Sequence, residues 1–531
     1  MLKTYTFPSF AYRPSTDAGA RHPIVVIGAG PVGLSAALDL ARRGLPVVVL
    51  DDNNTVSVGS RALCYAKRTL EVWGRLGVAD RLLHKGVQWQ LGKVYRDQDL
   101  VYAFDLLPEA GHRMPAMINL QQYYLEEYLV DACLSAGVDL RWKHAVSALE
   151  RHDDRVVLDV DTPDGAFSLE ADWVVACDGA NSSVRRMVGA DFTGQFFQDR
   201  FLIADVLMKA EFPTERWFWF DPPFHRGQSV LLHREADNVW RIDFQLGWDA
   251  DPDEAKKPEN VLPRIRAMLG PDAEFDLEWV SVYQFACRRI DRFRHGRVIF
   301  AGDSAHQVSP FGARGANSGV QDVDNLGWKL QLVIAGQAPE TLLDTYHDER
   351  AAAADDNLRN STRSTDFITP KSRASRVLRD AVLDLAEHEP FARRLVNSGR
   401  LSTPTPYVDS LLNTPDESPF AGTLVPGTAC ADAPVTRAGA QGWLLDALPD
   451  GFVLLVFGAR APIDAVRSGG VAATVLSVGD DLIDTQGLAT QRYDATPGTV
   501  YLIRPDQHVA ARWRGFDAAK IEAALARACG R

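Results

Sequence analysis

Three glycines near the start of the chain, Gly28, Gly30 and Gly33, have the spacing that holds the pyrophosphate of a dinucleotide. They follow an apolar run at 24–27, which is long enough for a buried parallel strand. Gly28 permits the tight turn, Gly30 leaves room for the pyrophosphate, and Gly33 lets the next helix pack on the strand. Asp51 follows the glycines by about 20 residues, where a carboxylate accepts a ribose hydroxyl. The pattern predicts a dinucleotide site.

A second glycine-rich segment lies at 297–322. Its predicted strand ends at Gly302 and Asp303, on the carboxyl edge where such sheets bind ligands. A helix is predicted from about Gly315, and its first N–H groups carry a partial positive charge. We expect Asp303 to bond a ribityl hydroxyl and the helix end to stabilise a reduced, anionic flavin. The other residues expected to contact the cofactor here are Pro310, Gly312, Gly315, Ala316 and Asn317.

The elements that position these residues alternate between strands and helices, which predicts an α/β fold with a Rossmann-like domain. Tryptophan and phenylalanine then cluster between turn residues, which predicts an antiparallel sheet with one aromatic face, mostly core. We predict an N-terminal extension at 1–21, a first FAD-domain part at 22–190 and a substrate-binding sheet domain at 191–290. A second FAD-domain part that turns helical follows at 291–400, then a linker rich in Pro, Thr and Ser at 401–434 and a C-terminal αβ domain at 435–531.

The composition is that of a globular enzyme of two to four domains. The 531 residues carry a formal net charge of −13, which argues against nucleic acid or an anionic membrane as the main partner. No run approaches about 18 apolar residues, so we expect no membrane span. The first 23 residues lack the apolar core of a secretory signal, and the six cysteines are dispersed. We therefore expect a cytoplasmic protein with reduced thiols and no metal site.

A third segment, ACDGANSSVRR at 176–186, completes a set of motifs that resembles a known family. The chain is similar to the single-component (class A) FAD-dependent aromatic hydroxylases, particularly its phenol hydroxylase-like and 3-(3-hydroxyphenyl)propionate hydroxylase-like members. The resemblance covers most of 22–400. It identifies Asp178 and Gly179 as the D-G motif, which in the family serves FAD and the incoming nicotinamide nucleotide. Arg61 matches an arginine near the FAD phosphates and ribose, and Gln122 matches a glutamine that contacts the cofactor.

The resemblance also implies the architecture. It predicts a p-hydroxybenzoate hydroxylase-like FAD domain, an antiparallel-sheet substrate domain and a thioredoxin-like C-terminal domain. The last has no C-x-x-C, so we expect a structural role, with homodimer contacts as one form of it. Relatives commonly carry a Gly-Gln-Gly-like step where this chain has Arg314. That cation either stabilises an anionic flavin or points to solvent.

The reaction that the resemblance implies is hydroxylation of a phenolic ring. NADH or NADPH, binding transiently, reduces FAD, the reduced flavin captures O₂, and a flavin C4a-hydroperoxide would transfer one oxygen atom to the ring. The aromatic sheet would exclude water. A phenol needs a base or hydrogen-bond acceptor near its oxygen, but the sequence leaves the catalytic base unknown. Candidates by residue type alone, each of which has a structural role as its alternative, are His225, His233, Tyr283 and His306.

Two other functions remain open at this point. One is a different flavin oxidoreductase on the same scaffold, such as a halogenase, an epoxidase or a dehydrogenase. The other is a non-enzymatic flavin-binding redox sensor. The sequence does not distinguish NADH from NADPH or fix the position of attack, and a phenol with a short acid chain is the leading substrate guess, by resemblance.

Overall fold

The computed structural model describes residues 2–14, 18–209, 212–396, 401–458 and 463–531. The gaps fall within the predicted N-terminal extension, sheet domain, second FAD-domain part and C-terminal domain. The predicted domain boundary at residue 400 therefore lies outside the described residues.

The first sheet is the predicted Rossmann-like one. Its strands run in the order β17-β18-β11-β1-β2-β8, and β11, β1, β2 and β8 are parallel neighbours. The central strands are almost wholly apolar because helices cover such sheets on both faces. Two further strands, β9 and β10, pair with each other in antiparallel orientation, and β10 also pairs with β11 in antiparallel orientation. The strands are β1 Arg21–Ile27, β2 Val47–Asp51, β8 Asp139–Trp142, β9 Ala145–Arg151, β10 Val156–Thr162, β11 Gly165–Ala176, β17 Arg294–His295 and β18 Val298–Phe300.

The second sheet is the predicted antiparallel one, with a single parallel pair, β13 with β5. Its order is β19-β16-β12-β15-β14-β13-β5-β6. The long strands β12 and β16 form its backbone through an extended antiparallel ladder. The strands are β5 Leu91–Arg96, β6 Asp99–Asp105, β12 Phe192–Met208, β13 Arg216–Phe220, β14 Ser229–Arg234, β15 Val239–Leu246, β16 Phe275–Ile290 and β19 His306–Gln307.

The two faces of this sheet differ in chemistry. Along β15, Trp240, Ile242 and Phe244 pack in an apolar core that includes residues of a helix at Pro258–Leu269. The alternating positions, Arg241 and Asp243, point to the opposite side, as the period of a strand requires. We call that side, which also carries Asp205, Arg216 and His233, the inner face. The aromatic residues do not share one face as predicted, because Phe218 and Phe220 belong to a second core.

The third sheet is mixed, in the order β23-β24-β22-β25-β26, and belongs to the thioredoxin-like C-terminal domain. Its core is continuous with the rest of the molecule, since Trp328, Leu332 and Leu342 pack against Phe452 and its neighbours. The strands are β22 Phe452–Phe457, β23 Ala465–Ser468, β24 Val471–Val478, β25 Val500–Ile503 and β26 Val509–Trp513.

Two small sheets complete the strands, one of β3 Cys64–Ala66, β4 Val87–Trp89 and β7 Met117–Asn119, and one of β20 Pro434–Arg437 and β21 Ala440–Trp443. No helix within the described ranges is long and apolar enough to cross a bilayer. The helices are α1 Pro31–Arg42, α2 Lys67–Arg75, α3 Ala79–Lys85, α4 Gln122–Ser135, α5 Ser183–Met187, α6 Pro252–Ala255, α7 Pro258–Leu269, α8 Gly315–Ile334, α9 Asp344–Ile368, α10 Arg373–His388, α11 Pro390–Val396, α12 Leu444–Ala447, α13 Leu488–Arg492 and α14 Ala518–Ala528.

Candidate functional site

The turn between β1 and α1 has the shape of a phosphate cradle. Gly28 has a φ of 102°, and a Cβ there would lie 2.6 Å from the carbonyl oxygen of Cys177. A Cβ on Gly33 would lie 1.9 Å from the Gly28 carbonyl oxygen. A Cβ on Gly30, the N-cap of α1, would meet nothing within 4 Å. Gly28 and Gly33 are therefore required by the fold, whereas the space at Gly30 fits a ligand phosphate at a helix N-terminus.

Asp51 ends β2 beside this turn. Its Oδ2 accepts the backbone N–H of Ala29 at 2.6 Å, and its Oδ1 accepts that of Asn53 at 2.8 Å. Burial raises the pKa of Asp51, and these two hydrogen bonds oppose that effect. The carboxylate thus holds the glycine turn in place, and its remaining lone pairs leave room for the predicted ribose hydroxyl.

Asp178 and Gly179 follow β11 at the same edge of the first sheet. The Oδ2 of Asp178 accepts the backbone N–H of Val184 at 3.0 Å, at the start of α5. Its Oδ1 is buried and has no hydrogen-bond partner among the described residues. Buried polar atoms are nearly always paired, so this oxygen fits a ligand donor. Gly179 takes a φ of 74°, which favours glycine there.

The Gly302–Asp303 turn follows β18. Gly302 has a φ of 67°, and its N–H donates to Oδ2 of Asp322 at 2.9 Å. The side chain of Asp303 is accessible to solvent, yet burial among the surrounding atoms raises its pKa. A Cβ on Gly315 would lie 4.0 Å from the Asp303 Oδ1, so the N-terminus of α8 lies beside this carboxyl group.

Asn317 joins the start of α8 to β3. Its Oδ1 accepts the N–H of Ala66 at 2.8 Å, and its Nδ2 donates to the carbonyl oxygens of Cys64 and Ala313 at 2.9 and 2.6 Å. The protein thus uses the amide side chain itself, which leaves the backbone of Asn317 for the predicted cofactor contact. Pro310, Gly315 and Ala316 are half-buried around it.

Arg314 does not point to solvent, so that alternative is wrong. It is buried, and its Nη1 donates to Oδ1 of Asn357 on α9 at 3.1 Å. A Cβ on Gly312, whose φ is 102°, would lie 2.8 Å from the Arg314 Nε. Gly312 is therefore needed because the guanidinium lies directly against the turn.

Arg61 and Gln122 lie at the loop that precedes β3. Gln122 organises this loop, since its Oε1 accepts the N–H of Ala62 at 3.0 Å and its Nε2 donates to Oγ of Ser57 at 3.0 Å. Arg61 is exposed, with its Nε 3.3 Å from the carbonyl oxygen of Val58. Contact of either side chain with the cofactor stays a prediction.

Two of the candidate bases have structural partners. His306 is buried, with its Nε2 2.6 Å from Oδ2 of Asp322, behind the Gly302–Asp303 turn. The Nε2 of His225 lies 2.7 Å from the carbonyl oxygen of Gln245, and burial lowers the pKa of His225. These contacts favour the structural alternative for both histidines.

The inner face holds a buried row of ionisable side chains. In the strand register, His233 on β14 lies opposite Arg241 on β15, and Arg241 lies opposite Asp205 on β12. On β13, Trp217 lies opposite Leu232 of β14. Arg216, one residue earlier, therefore lies beside His233, one residue after Leu232. Charged residues are almost never fully buried unless they are paired.

Sequence reasoning missed most of this row, although it named His233 by type. The signal is the alternation of charged residues with aromatic or aliphatic ones, in VWRIDFQL at 239–246 and RWFWF at 216–220. Read as a strand, that pattern places Arg241 and Asp243 together on one side. The pattern alone does not reveal that neither face of the strand is exposed to solvent.

The inner face touches two of the loops that are predicted to hold the cofactor, those before β3 and α8. Arg241 donates from Nη1 to the carbonyl oxygen of Arg61 at 2.9 Å. The ring of Phe311, in the loop before α8, stands edge-on to those of Phe201 and Phe285, with centroids 5.2 and 5.4 Å apart. Tyr283 lies in the same cluster, where burial raises its pKa well above the usual value. Polar and aromatic side chains of the inner face therefore lie next to two loops that are predicted to hold the cofactor.

A cavity of about 430 Å³ opens at the edge of the inner face. Gln245 and Trp248 line it from the sheet, and the start of α10 lines it from the other side. Its cationic lining residues are Lys371, Arg373, Arg376 and Arg379.

Comparisons with known proteins agree with this geometry. Residues 21–361 match the family described as FAD binding domain, and residues 423–531 match the one described as aromatic-ring hydroxylase, C-terminal. The 12-dehydrotetracycline 5-monooxygenase/anhydrotetracycline 6-monooxygenase of Streptomyces rimosus is 31% identical over 505 residues, covering 92% of this chain and 95% of its own. The 3-(3-hydroxy-phenyl)propionate/3-hydroxycinnamic acid hydroxylase of Mycolicibacterium smegmatis is 30% identical over 379 residues, covering 70% of this chain and 66% of its own.

Among solved structures, the flavin-dependent monooxygenase PieE, in complex with FAD and substrate, superposes with a TM-score of 0.80. It is 24% identical, and the alignment covers 96% of this chain and 99% of that one. At that identity the likeness establishes the fold.

Proposed function

This chain belongs to the family of FAD-dependent aromatic-ring hydroxylases, and on that premise we propose that it hydroxylates a phenolic substrate with NADH or NADPH and O₂. FAD, when bound, supplies the electron transfer and oxygen activation that side chains cannot. The residues proposed to hold it are those of the three turns, with Gly30 and the α1 N-terminus at the pyrophosphate, Asp51 and Asp303 at hydroxyls, and the start of α8 at the ring.

The observation that carries this proposal is the contact of the inner face with two loops proposed to hold FAD, the one before β3 and the one before α8. Phe311 packs on Phe201 and Phe285, and Arg241 holds the carbonyl of Arg61. A substrate on the inner face is therefore close to a ring held by the α8 loop. The same contacts exclude water, which would otherwise divert the activated oxygen.

His233 is proposed to accept a hydrogen bond from the substrate hydroxyl. It is 3% exposed, and burial together with the cations Arg216 and Arg241 holds its pKa well below the usual value. Its imidazole is therefore neutral at physiological pH and has a nitrogen lone pair to offer. The Nδ1 of His233 lies 4.0 Å from the Cys64 Sγ, whereas the Nε2 atoms of His225 and His306 lie 2.7 and 2.6 Å from structural oxygen atoms.

The nicotinamide nucleotide is proposed to bind transiently near Asp178, as the resemblance implies. Arg186, on α5, is exposed there, whereas Arg185 is buried and donates to the carbonyl oxygens of Ser304 and Ala180. Substrate is proposed to enter by the 430 Å³ cavity at the edge of the inner face.

The test is a panel of phenols screened for stimulated oxidation of NADH and NADPH, with hydrogen peroxide measured in parallel. A hydroxylating enzyme gives a phenol that accelerates oxidation and yields product with little peroxide. Flavin binding without turnover on any phenol would favour the redox sensor. Oxidised but not oxygenated product would favour a dehydrogenase on the same scaffold.

A further inference from the structure

Tyr407 connects the C-terminal region of the chain to helix α9. It lies in the segment predicted to be a linker, yet it is only 5% exposed. Its N–H donates to the carbonyl oxygen of Gly427 at 2.8 Å, and its own carbonyl oxygen accepts from Nδ2 of Asn413 at 2.7 Å. Its ring stacks on that of His508, with the centroids 4.7 Å apart. The backbone and the ring of Tyr407 are therefore both held in place.

The hydroxyl of Tyr407 meets an arginine of α9. Arg350 donates from Nη1 to this oxygen at 2.8 Å. The other donors of the same guanidinium reach α8, where Nε donates to Oδ1 of Asp322 at 2.6 Å and Nη2 donates to the carbonyl oxygen and Oγ of Ser318 at 3.1 and 3.0 Å. A guanidinium is planar and presents its donors in fixed directions, so a shift at one of these contacts moves the others.

The two α8 residues that this guanidinium contacts lie beside the proposed cofactor contacts. Asp322 accepts the N–H of Gly302 at 2.9 Å and so holds the turn that carries Asp303. Ser318 lies in the first turn of α8, whose N-terminus is proposed to face the flavin ring. Two donors of one side chain therefore end on the two parts of the chain that are proposed to hold the ribityl group and the ring.

The contacts from Tyr407 to Asp322 are buried. Arg350 is 1% exposed, and Asp322 is fully buried. Burial raises the pKa of Tyr407 to about 12, so its hydroxyl stays neutral at physiological pH. Hydrogen bonds to charged groups are stronger than those between neutral groups, and a buried donor that loses its acceptor is costly. Removal of the Tyr407 oxygen therefore disturbs the guanidinium and, with it, the contacts on α8.

We propose that Tyr407 is a positioning residue for FAD, which fixes the Gly302–Asp303 turn and the first turn of α8 through Arg350. The C-terminal domain, by holding Tyr407, then sets the affinity of the FAD site. This rests on the part of the proposed function that places FAD at these turns. Coupling between two sites is reciprocal, so FAD in turn stabilises the contacts of Tyr407.

The first experiment compares two phenylalanine substitutions in the full-length protein. Tyr407→Phe removes the oxygen that accepts from Arg350 and keeps the ring that stacks on His508. Tyr493→Phe is the matched control, because Tyr493 is also buried and its hydroxyl donates to the carbonyl oxygen of Ala431 at 2.9 Å instead of meeting α9. The measurements are the dissociation constant of FAD from the reconstituted apoprotein and the visible spectrum of the flavin at saturation. Urea unfolding of each apoprotein reports its stability.

We expect Tyr407→Phe to weaken FAD binding by about fivefold or more and to change the visible spectrum of the bound flavin. Tyr493→Phe should keep the wild-type constant and spectrum, because its lost hydrogen bond does not lead to α8. Equal effects of the two substitutions on FAD would overturn the proposal. An unchanged constant or an unchanged spectrum in Tyr407→Phe would do the same.

The second experiment needs no substitution and so does not depend on whether Tyr407→Phe folds. Hydrogen exchange of wild type, with and without FAD, follows the amide of Tyr407, which donates to Gly427, and that of Tyr493, which donates to the carbonyl oxygen of Ala489 at 3.0 Å. We expect FAD to slow exchange at Tyr407 by about fivefold more than at Tyr493. Equal slowing at the two amides would mean general stabilisation and would overturn the proposal, as would no slowing at Tyr407.

These readouts use neither a phenol nor a nicotinamide nucleotide, so they separate the two proposals. The expected effects in a protein that hydroxylates no phenol would reject the reaction and keep the role of Tyr407. Hydroxylation by a protein whose FAD affinity is the same in Tyr407→Phe would do the reverse. A wild-type protein that binds no FAD would overturn both.

Discussion

Asp322 holds Gly302 from a distance of 20 positions in the sequence, through a 2.9 Å hydrogen bond from the Gly302 N–H to its Oδ2. Burial alone would raise the pKa of Asp322, but His306 and Arg350 outweigh that effect and lower it. The carboxylate therefore stays ionised, and α8 fixes the turn that carries Asp303. The Gly302–Asp303 turn is therefore held by helix α8 as well as by the strand that precedes it.

Asp303→Ala is expected to weaken FAD binding by about 1.5–3 kcal/mol, because it removes a charge-assisted hydrogen bond to the cofactor. The measurement is the dissociation constant of FAD from the reconstituted apoprotein. Asp384→Ala, on an exposed residue of α10, is the control and should leave the constant unchanged. Equal constants for Asp303→Ala and wild type would reject the ribityl assignment.

Gly30→Val is expected to abolish FAD binding without unfolding the protein. The structure has open space where its Cβ would lie, so the apoprotein tolerates the side chain, whereas the pyrophosphate does not. Gly33→Val is the contrasting variant, since its Cβ would overlap the Gly28 carbonyl oxygen, and should unfold the domain. Flavin absorbance and thermal unfolding together decide this. A yellow Gly30→Val protein with full flavin content would contradict the cradle.

Local sequence patterns were enough to predict the positions of the glycine-bearing turns. The glycines at 28, 30 and 33, the carboxylate at 51 and the helix from Gly315 are each specified within a few residues of chain. The turn conformations follow from positive φ at Gly28 and Gly302, which side chains disfavour.

The inner face could not be predicted in the same way. The row from Arg216 through His233 to Arg241 depends on the register of three strands, and only the folded sheet brings it together. The same holds for Arg314, whose partner Asn357 lies on another helix. Long-range pairings of this kind leave no local pattern in one sequence.

Arg504→Ala is expected to lower the free energy of unfolding by about 3–5 kcal/mol, because it removes the guanidinium from two buried carboxylates, Glu349 and Asp506, of which Glu349 keeps its ion pair with Lys329. Arg504, in the C-terminal domain, donates to both oxygens of Glu349 on α9, at 2.6 and 3.0 Å. All these side chains are buried. Urea unfolding measures the loss.

The control for that network is Arg226→Ala, which removes an exposed pair with Asp97 and should cost about 1 kcal/mol or less. If Arg504→Ala cost no more than Arg226→Ala, the C-terminal domain would not stabilise the FAD domain through Glu349.

Asp205→Asn is expected to change the pH dependence of stability. Burial raises the pKa of Asp205 from 3.8 to about 7, despite the nearby Arg241. A carboxyl whose pKa is higher in the folded state stabilises the fold below 3.8 and loses that contribution as the pH rises to about 7. The uncharged asparagine escapes this loss, so the variant should gain on wild type across that range, by on the order of 1 kcal/mol or more.

The measurement is urea unfolding of both proteins at several pH values across the same interval. Asp384→Asn, at an exposed site, should run parallel to wild type. A constant difference between Asp205→Asn and wild type at every pH would mean that Asp205 does not carry the expected proton.

The most direct test of the proposed chemistry supplies the purified, FAD-loaded protein with NADH or NADPH, a phenol that stimulates its oxidation, and isotopically heavy O₂. We predict that the hydroxylated product gains one heavy oxygen atom for each nicotinamide oxidised. A product whose new oxygen comes from water, or consumption that ends only in peroxide with every phenol in the panel, would contradict the account.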